Sequence, residues 1–322
     1  MVSDLRHHRL AEVFSAVGER FRRRLERSAD RVSVACLVLL AFLAASIASA
    51  RPLQAANPEP AKLRSAARSA FLRYVKLTDE RNESELMRGG AMLWIDSLAE
   101  VQRADAYAAL KRGEVEIHQL TTLDNGKTID CPGGMVHHWV GVVFIPGAEL
   151  KDVLNILEDY DHQSTYYAPD VERSRIESRN GDHFRVFLRF RRHKVITVVL
   201  DTEHDVHYFL DSPRRAHSRS SAVRIAEVEN PGKSDEREKP PGDDAGFLWG
   251  METWWRLEEA NGGVYVQSEV ASLTRDIPTG LGWLIGPFVT SIPKETLEFT
   301  LGATRKAVEG KLVNSAGTGT AP

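Results

Sequence analysis

The sequence has only two cysteines, Cys36 and Cys131, in 322 residues. That is too few for a disulfide framework, so stability must come from an ordinary core. It also lacks a basic excess: 42 Lys and Arg stand against 45 Asp and Glu, a formal net charge of −3, whereas a nucleic-acid binder needs a basic face. No H-E-x-x-H, G-x-S-x-G or Gly-rich phosphate loop occurs, so the usual signals for a zinc hydrolase, a serine hydrolase or a nucleotide cradle are missing. Histidine pairs are present but do not chelate: His137 and His138 fall on opposite faces of a regular strand, as do His204 and His207. The residues therefore give no metal, no cofactor and no catalytic set, and no internal repeat is found.

Long apolar runs are scarce, with one exception. Residues 32–50, VSVACLVLLAFLAASIASA, carry no charge, and the 31 residues before them hold eight Arg against five acidic residues. A basic stretch, an apolar run and Ala48-Ser49-Ala50 describe a signal peptide with an A-x-A cleavage site. The run also reaches the lower length limit for spanning a bilayer, so residues 1–50 read as a signal peptide or a retained signal anchor. The Arg excess keeps the N-terminus cytoplasmic in either case. Export is thus expected, to the periplasm or to the periplasmic face of the inner membrane, and the exported part is acidic. Cys36 sits inside the apolar run, which argues against a lipoprotein. Cys131, beside Pro132-Gly133-Gly134, reads as a small residue near a turn, without the His and Asp partners of a reactive thiol.

Residues 51–60 hold three prolines and read as a linker. Apolar residues then recur at helical spacing (Leu63, Ala67, Ala70, Tyr74, Leu77, then Trp94, Leu98, Val101), predicting two or three helices over 61–112. From Glu114 the period is two, with a turn at Asn125-Gly126. Residues 135–145, MVHHWVGVVFI, are apolar on both alternating faces, as in a strand covered on both sides. A helix follows over 148–162, then strands over about 171–178, 183–192, 194–210, 214–228, 247–259 and 263–275. A last helix is expected from Pro293 to about Glu309, with Leu297, Leu301, Thr304 and Val308 in one stripe. Residues 311–322 read as a disordered tail and 230–246, charged and rich in Pro and Gly, as a solvated insertion. The order is that of an α+β fold.

Alternation sorts the strand faces. Phe247, Trp249, Met251, Thr253, Trp255 and Leu257 share one, expected inward. Phe184, Val186, Leu188 and Phe190 share another, opposite Arg185, Phe187, Arg189 and Arg191. That arginine face suits an acidic head group or phosphate, or, the expected reading, pairs across strands with carboxylates such as Asp201, Glu203 or Glu269. Asp159, Asp161 and His162, with Tyr166 and Tyr167, read as a polar helix end packing its tyrosines. Residues 274–293 are bulky and apolar at Trp283, Leu284, Ile285 and Phe288 but interrupted by Gly and Pro, so they are expected to form a loop that gates a pocket or touches a membrane, or else packs under the helix. Arg275-Asp276 is expected to fix its base.

HHWVGVVFIPGAELKDVLNILEDYDHQSTYYAPDV, the Trp-rich strand and RDIP…IP before the last helix resemble the START-like, or Bet v 1-like (SRPBCC), helix-grip superfamily. It includes lipid-transfer domains, coenzyme Q-binding proteins and polyketide cyclases. The resemblance covers about residues 113–310 and implies a curved antiparallel sheet gripping the C-terminal helix around an apolar cavity, with 61–112 as an N-terminal helical extension. The reading that follows is an exported binding or transfer protein for a lipid, isoprenoid or other apolar molecule. Trp249, Met251, Trp255, Phe184, Leu188 and Phe190 would line the cavity, with Leu297 and Leu301 on its helical wall. A cyclase or aromatase using His137 or His138, Asp161 and Tyr166 is the alternative, and a solid-core interaction module the third. The sequence does not give the oligomeric state.

Overall fold

Alternating burial dominates the chain from Gly134 onward, and the strands it produces build one large sheet. In the computed structural model, residues 61–88, 92–193, 197–276 and 282–318 are described; for 282–290 and 315–318 this concerns the backbone. Residues 1–60, where a signal segment and a linker are expected, lie outside the described residues.

A short strand β1 (Ala61–Lys62) leads into helix α1 (Ser65–Met87), a 3-10 turn (Trp94–Ser97) and α2 (Glu100–Lys111). Then come β2 (Glu116–Gln119), the hairpin β3 (Leu123–Asp124) and β4 (Lys127–Thr128), β5 (Gly134–Pro146), α3 (Leu150–Leu157), a 3-10 turn (Tyr160–His162) and α4 (Gln163–Tyr166). The long strands are β6 (Val171–Asn180), β7 (His183–His193), β8 (Thr197–Ser212), β9 (Arg215–Glu229), β12 (Gly250–Ala260) and β13 (Gly263–Arg275), with short β10 (Arg237–Glu238) and β11 (Asp243–Asp244) between β9 and β12. The chain ends in α5 (Gly282–Thr318). Strands pair antiparallel in the order β2-β5-β13-β12-β9-β8-β7-β6, with β10 added on β9. Register shifts in β6–β7 and between Glu203 and His204 in β8–β9 mark the bulges that bend it. Asn125 and Gly126, at φ 48° and 78°, supply the left-handed pair that the β3–β4 turn requires.

The concave face grips α5. Val143, Ile145, Leu257, Val264 and Val266 pack with Leu297, Leu301 and Val308, and α3 adds Leu150, Val153 and Ile156. The opposite face is also covered. Phe71, Tyr74 and Val75 of α1 pack on Trp254, Ala271 and Leu273, while Leu93, Ile95 and Leu110 pack on Val142, Phe144 and Tyr265. Two-sided cover is why β5 is apolar on both faces. The architecture is α+β: a helix-grip fold with an N-terminal helical layer.

Four expectations need correction. The last helix starts at Gly282, not Pro293, so Trp283, Leu284, Ile285 and Phe288 lie in helix and not in a loop; their side chains are outside the described residues. A proline removes one intrahelical bond and can kink a helix without ending it. The same helix runs on to Thr318, so 311–318 is not a disordered tail. The insertion at 230–246 is more than a solvated loop: β11 pairs with β1, and Glu236 bonds Arg189 at 2.8 Å. Trp94, Leu98 and Val101, expected at the spacing of one helix, are split between a 3-10 turn and a separate helix and so lose a common phase, and Val101 is 73% exposed.

Candidate functional site

Register places three rows of side chains side by side across the concave face. One runs Gly141, Ser268, Trp255, Ser218, Tyr208; the next Trp139, Val270, Thr253, Ser220, Val206, Phe184. The third has His137, Ser272 and Met251 on one side and His204 and Val186 on the other. Gly141 lets α5 approach: Leu297 and Leu301 sit directly over it. Away from that contact Trp139, Met251, Thr253, Trp255 and Val270 are only half-buried.

The polar members of these rows are neutral. His204 is buried, with Nε2 2.8 Å from Thr202 Oγ1 and Nδ1 3.4 Å from Ser220 Oγ. His137 Nε2 lies 3.1 Å from Thr274 Oγ1. Burial pushes both imidazoles down to a pKa of about 4, so both are uncharged at neutral pH. Two buried polar atoms, Ser218 Oγ and Trp139 Nε1, have no hydrogen-bond partner. No Asp, Glu, Lys or Arg occurs in the three rows.

Phe184, Trp255, Leu297 and Leu301 meet in the main concave cluster. Leu188 and Phe190 form a neighbouring patch with Tyr167, Val171 and Phe299. Met251 is half-buried on the same face, opposite Ser272. Trp249 stands apart: it precedes β12, donates from Nε1 to Asp244 Oδ1 at 2.8 Å and packs toward α1. It lines a cleft of about 650 Å³ at the end of the sheet together with Lys62, Arg64, Gly133, Arg275 and Asp276. There Arg275 donates to the Ala245 carbonyl at 3.2 Å.

The alternative acid/base set is dispersed. His137 faces the concave side. His138 faces the other, its Nδ1 2.9 Å from Tyr74 Oη and its Nε2 2.8 Å from Glu269. Asp161 accepts from the Ile176 amide at 2.8 Å at the sheet edge, and Tyr166 donates to Asp159 at 2.5 Å. This is the polar helix end expected from sequence, with Asp159 also 2.7 Å from His162 Nδ1. Among the described residues no group of His, Cys, Asp and Glu could hold a metal ion. Cys131 is a free thiol whose pKa is raised by burial, which suits a packing role and not a nucleophile.

The arginine face pairs as expected with Asp201, which Arg189 grips at 2.6 and 2.7 Å. Glu203 instead faces Arg224, and Glu269 serves His138 and Arg81. Sequence reasoning missed the polar concave stripe. Its signal was present in RAHSRSSAV, where Ala216, Ser218 and Ser220 alternate with His217 and Arg219.

No family model and no curated protein matches the chain. Among solved structures it is similar to a STAR-related lipid transfer protein from Xanthomonas axonopodis, at 19% identity over 60% of this chain and 98% of that one, with a TM-score of 0.38. It is similar also to a START superfamily protein from Mycobacterium smegmatis, at 13% identity over 54% and 97%, TM-score 0.36. The Zhui aromatase/cyclase from Streptomyces sp. R1128 matches at 15% identity over 55% and 96%, TM-score 0.36. The helix-grip fold is read from this chain's own strand order, register and gripped helix.

Proposed function

We propose that the chain is an exported binding or transfer protein for a lipid, isoprenoid or other apolar small molecule, held between the concave face and α5. The observation that carries the reading is the incomplete cover of Trp139, Met251, Trp255 and Val270 beside a helix that grips the same face tightly at Gly141. Large apolar side chains with a few oriented polar groups are what a small-molecule site presents. Covering about 300 Å² of apolar ligand surface supplies roughly 7 kcal/mol before the costs of association.

Residues 1–50 address this function to the envelope, either freeing the domain in the periplasm or tethering it to the inner membrane. Among the described residues no helix is long and apolar enough to cross a membrane. Envelope fractionation with sequencing of the mature N-terminus distinguishes the two fates: a start at Arg51 means a free carrier. Organic extraction and mass spectrometry of the protein purified from its own envelope should yield a bound apolar molecule. Finding none, together with no uptake of a fluorescent lipid, refutes the binding function and leaves a solid-core module.

A further inference from the structure

We propose that the concave face beside α5 selects a neutral, oxygen-bearing hydrophobe and that Ser218 and Trp139 are its hydrogen-bonding anchors; the proposal rests on the apolar-ligand reading above. Ser218 is 2% exposed and its hydroxyl has no partner. The nearest phenol in its row, Tyr208, is already engaged by Tyr160 at 2.8 Å and the Leu157 carbonyl at 3.1 Å. The Trp139 indole nitrogen is equally orphaned, while its ring packs on the concave cluster. Buried hydrogen-bonding groups are normally paired, and an unpaired one calls for a missing partner. An indole N–H only donates, so the partner of Trp139 must present an acceptor oxygen.

The surroundings set the charge of that partner. Between the two anchors lie Thr253, Ser220 and Ser268, with Ser272 and the neutral His137 and His204 alongside. A carboxylate or phosphate placed there meets no cation, and burying an unpaired charge costs far more than burying a carbonyl or hydroxyl. Glu269, Arg256, Arg189 and Asp201 are buried on the other face and are paired: Glu269 with His138 and Arg81, Arg256 with Glu85, Arg189 with Asp201. Trp139 on β5 and Ser218 on β9 are three strands apart, about 14 Å between backbones at ~4.8 Å per strand. The side chains reach inward from both sides. A ring system or branched chain carrying keto or hydroxyl groups fits that span; a pure hydrocarbon leaves both anchors unpaired, and a fatty acid brings in a charge.

The test uses the protein as the cell processes it and four probes on one frame: anthracene, 9-anthracenemethanol, anthrone and 9-anthracenecarboxylate. The alcohol and ketone are expected to bind about tenfold more tightly than the hydrocarbon and the carboxylate. Ser218→Ala and Trp139→Phe should each cut that preference, read as the ratio of alcohol or ketone affinity to anthracene affinity within the same variant, to about threefold or less. Ser218→Ala should also raise the Tm of the ligand-free protein, because it deletes an unpaired buried hydroxyl; a merely structural serine lowers it. A carboxylate that binds as tightly as the alcohol, or a preference that survives both substitutions, overturns the proposal but not the apolar-ligand reading. If the anthracenes do not bind, the molecule extracted from the native protein decides: a neutral oxygenated one supports the proposal and an anionic one overturns it. No binding and no extract overturn both.

Discussion

Gly141 is where the grip of α5 on the sheet is most directly measurable. A methyl group built on it would lie 2.6 Å from Leu301 Cδ1 and 3.2 Å from Leu297 Cδ2, under two leucines that are 0% and 3% exposed. Carbon atoms settle at about 3.5–4.0 Å, so Gly141→Ala must push α5 away by about 1 Å or force Leu301 off its rotamer. Overpacking of this kind costs roughly 1–3 kcal/mol. The φ of Gly141 is not positive, so alanine is free of backbone strain and recovers about 0.5–1 kcal/mol of chain entropy. The net loss is about 0.5–2 kcal/mol, a fall in Tm of roughly 1–8 °C for a domain of this size. Leu301→Ala alone empties a fully buried site and costs about 2–5 kcal/mol. In the Gly141→Ala background it should cost at least ~0.5 kcal/mol less, because the new methyl occupies part of the space. Urea denaturation of the four proteins measures the cycle. Unchanged stability in Gly141→Ala, or strict additivity, refutes the close approach of α5 to β5.

Three further outcomes are expected. Asp201→Ala strips the nearly buried Arg189 guanidinium of its bidentate partner and should cost about 3–5 kcal/mol in urea denaturation, whereas Arg189→Met with Asp201→Leu should cost much less. His137 and His204, held down to about 4 from 6.5 by burial, stay neutral when the unfolded chain takes up protons. Their contribution is therefore complete above pH 6.5 and lost as pH falls toward 4. Glu252, raised to about 7 from 4.5 by burial, works the other way, its stability present below pH 4.5 and lost as pH rises through 7. His137→Gln with His204→Gln should thus flatten the loss of stability between pH 6.5 and 4, and Glu252→Gln should steepen the gain over the same range; urea midpoints at pH 5 and 7 decide. Glu269→Gln leaves Arg81 and His138 facing a neutral amide, so amide exchange in α1 should rise by roughly tenfold while α5 stays protected; equal rises in both helices would mean global, not local, loosening.

The sheet and its grip were legible because period-two alternation and the Leu297–Leu301–Val308 stripe are local patterns. The same applies to the two faces of β5, since only a strand covered on both sides tolerates MVHHWVGVVFI. The concave polar stripe was not legible. Ser218 on β9 and Ser268 and Ser272 on β13 lie far from β5 in sequence, and only register brings them beside Trp139 and Trp255. Trp249 misled for a related reason: alternation is meaningful only inside a strand, and β12 begins one residue later. The start of α5 was hidden because Gly282, Gly286, Pro287 and Pro293 each lower helix propensity, while tertiary packing weighs more than propensity.

The two faces of the sheet handle polar groups in opposite ways, and this explains the N-terminal layer. α1 does not meet the sheet through leucines alone. Asp79 takes bonds from Arg219 and from the Trp254 indole at 2.7–2.8 Å, Asn82 and Glu85 engage Arg256, and Tyr74 bridges His138 and the Thr122 amide. Buried pairs of this kind add little net stability but tolerate one register only, so they fix where α1 lies more than how strongly it binds. Charges on that face pair with the helical layer, as Arg219 and Arg256 do, or with one another and the 230–246 insertion, as Arg189 and Arg224 do. The three concave rows keep only neutral donors and acceptors, two of them unpaired, and the Arg192 guanidinium at the far end of that face is taken by Asp170 and Thr296, so whatever discrimination the protein exerts falls to the side that faces α5.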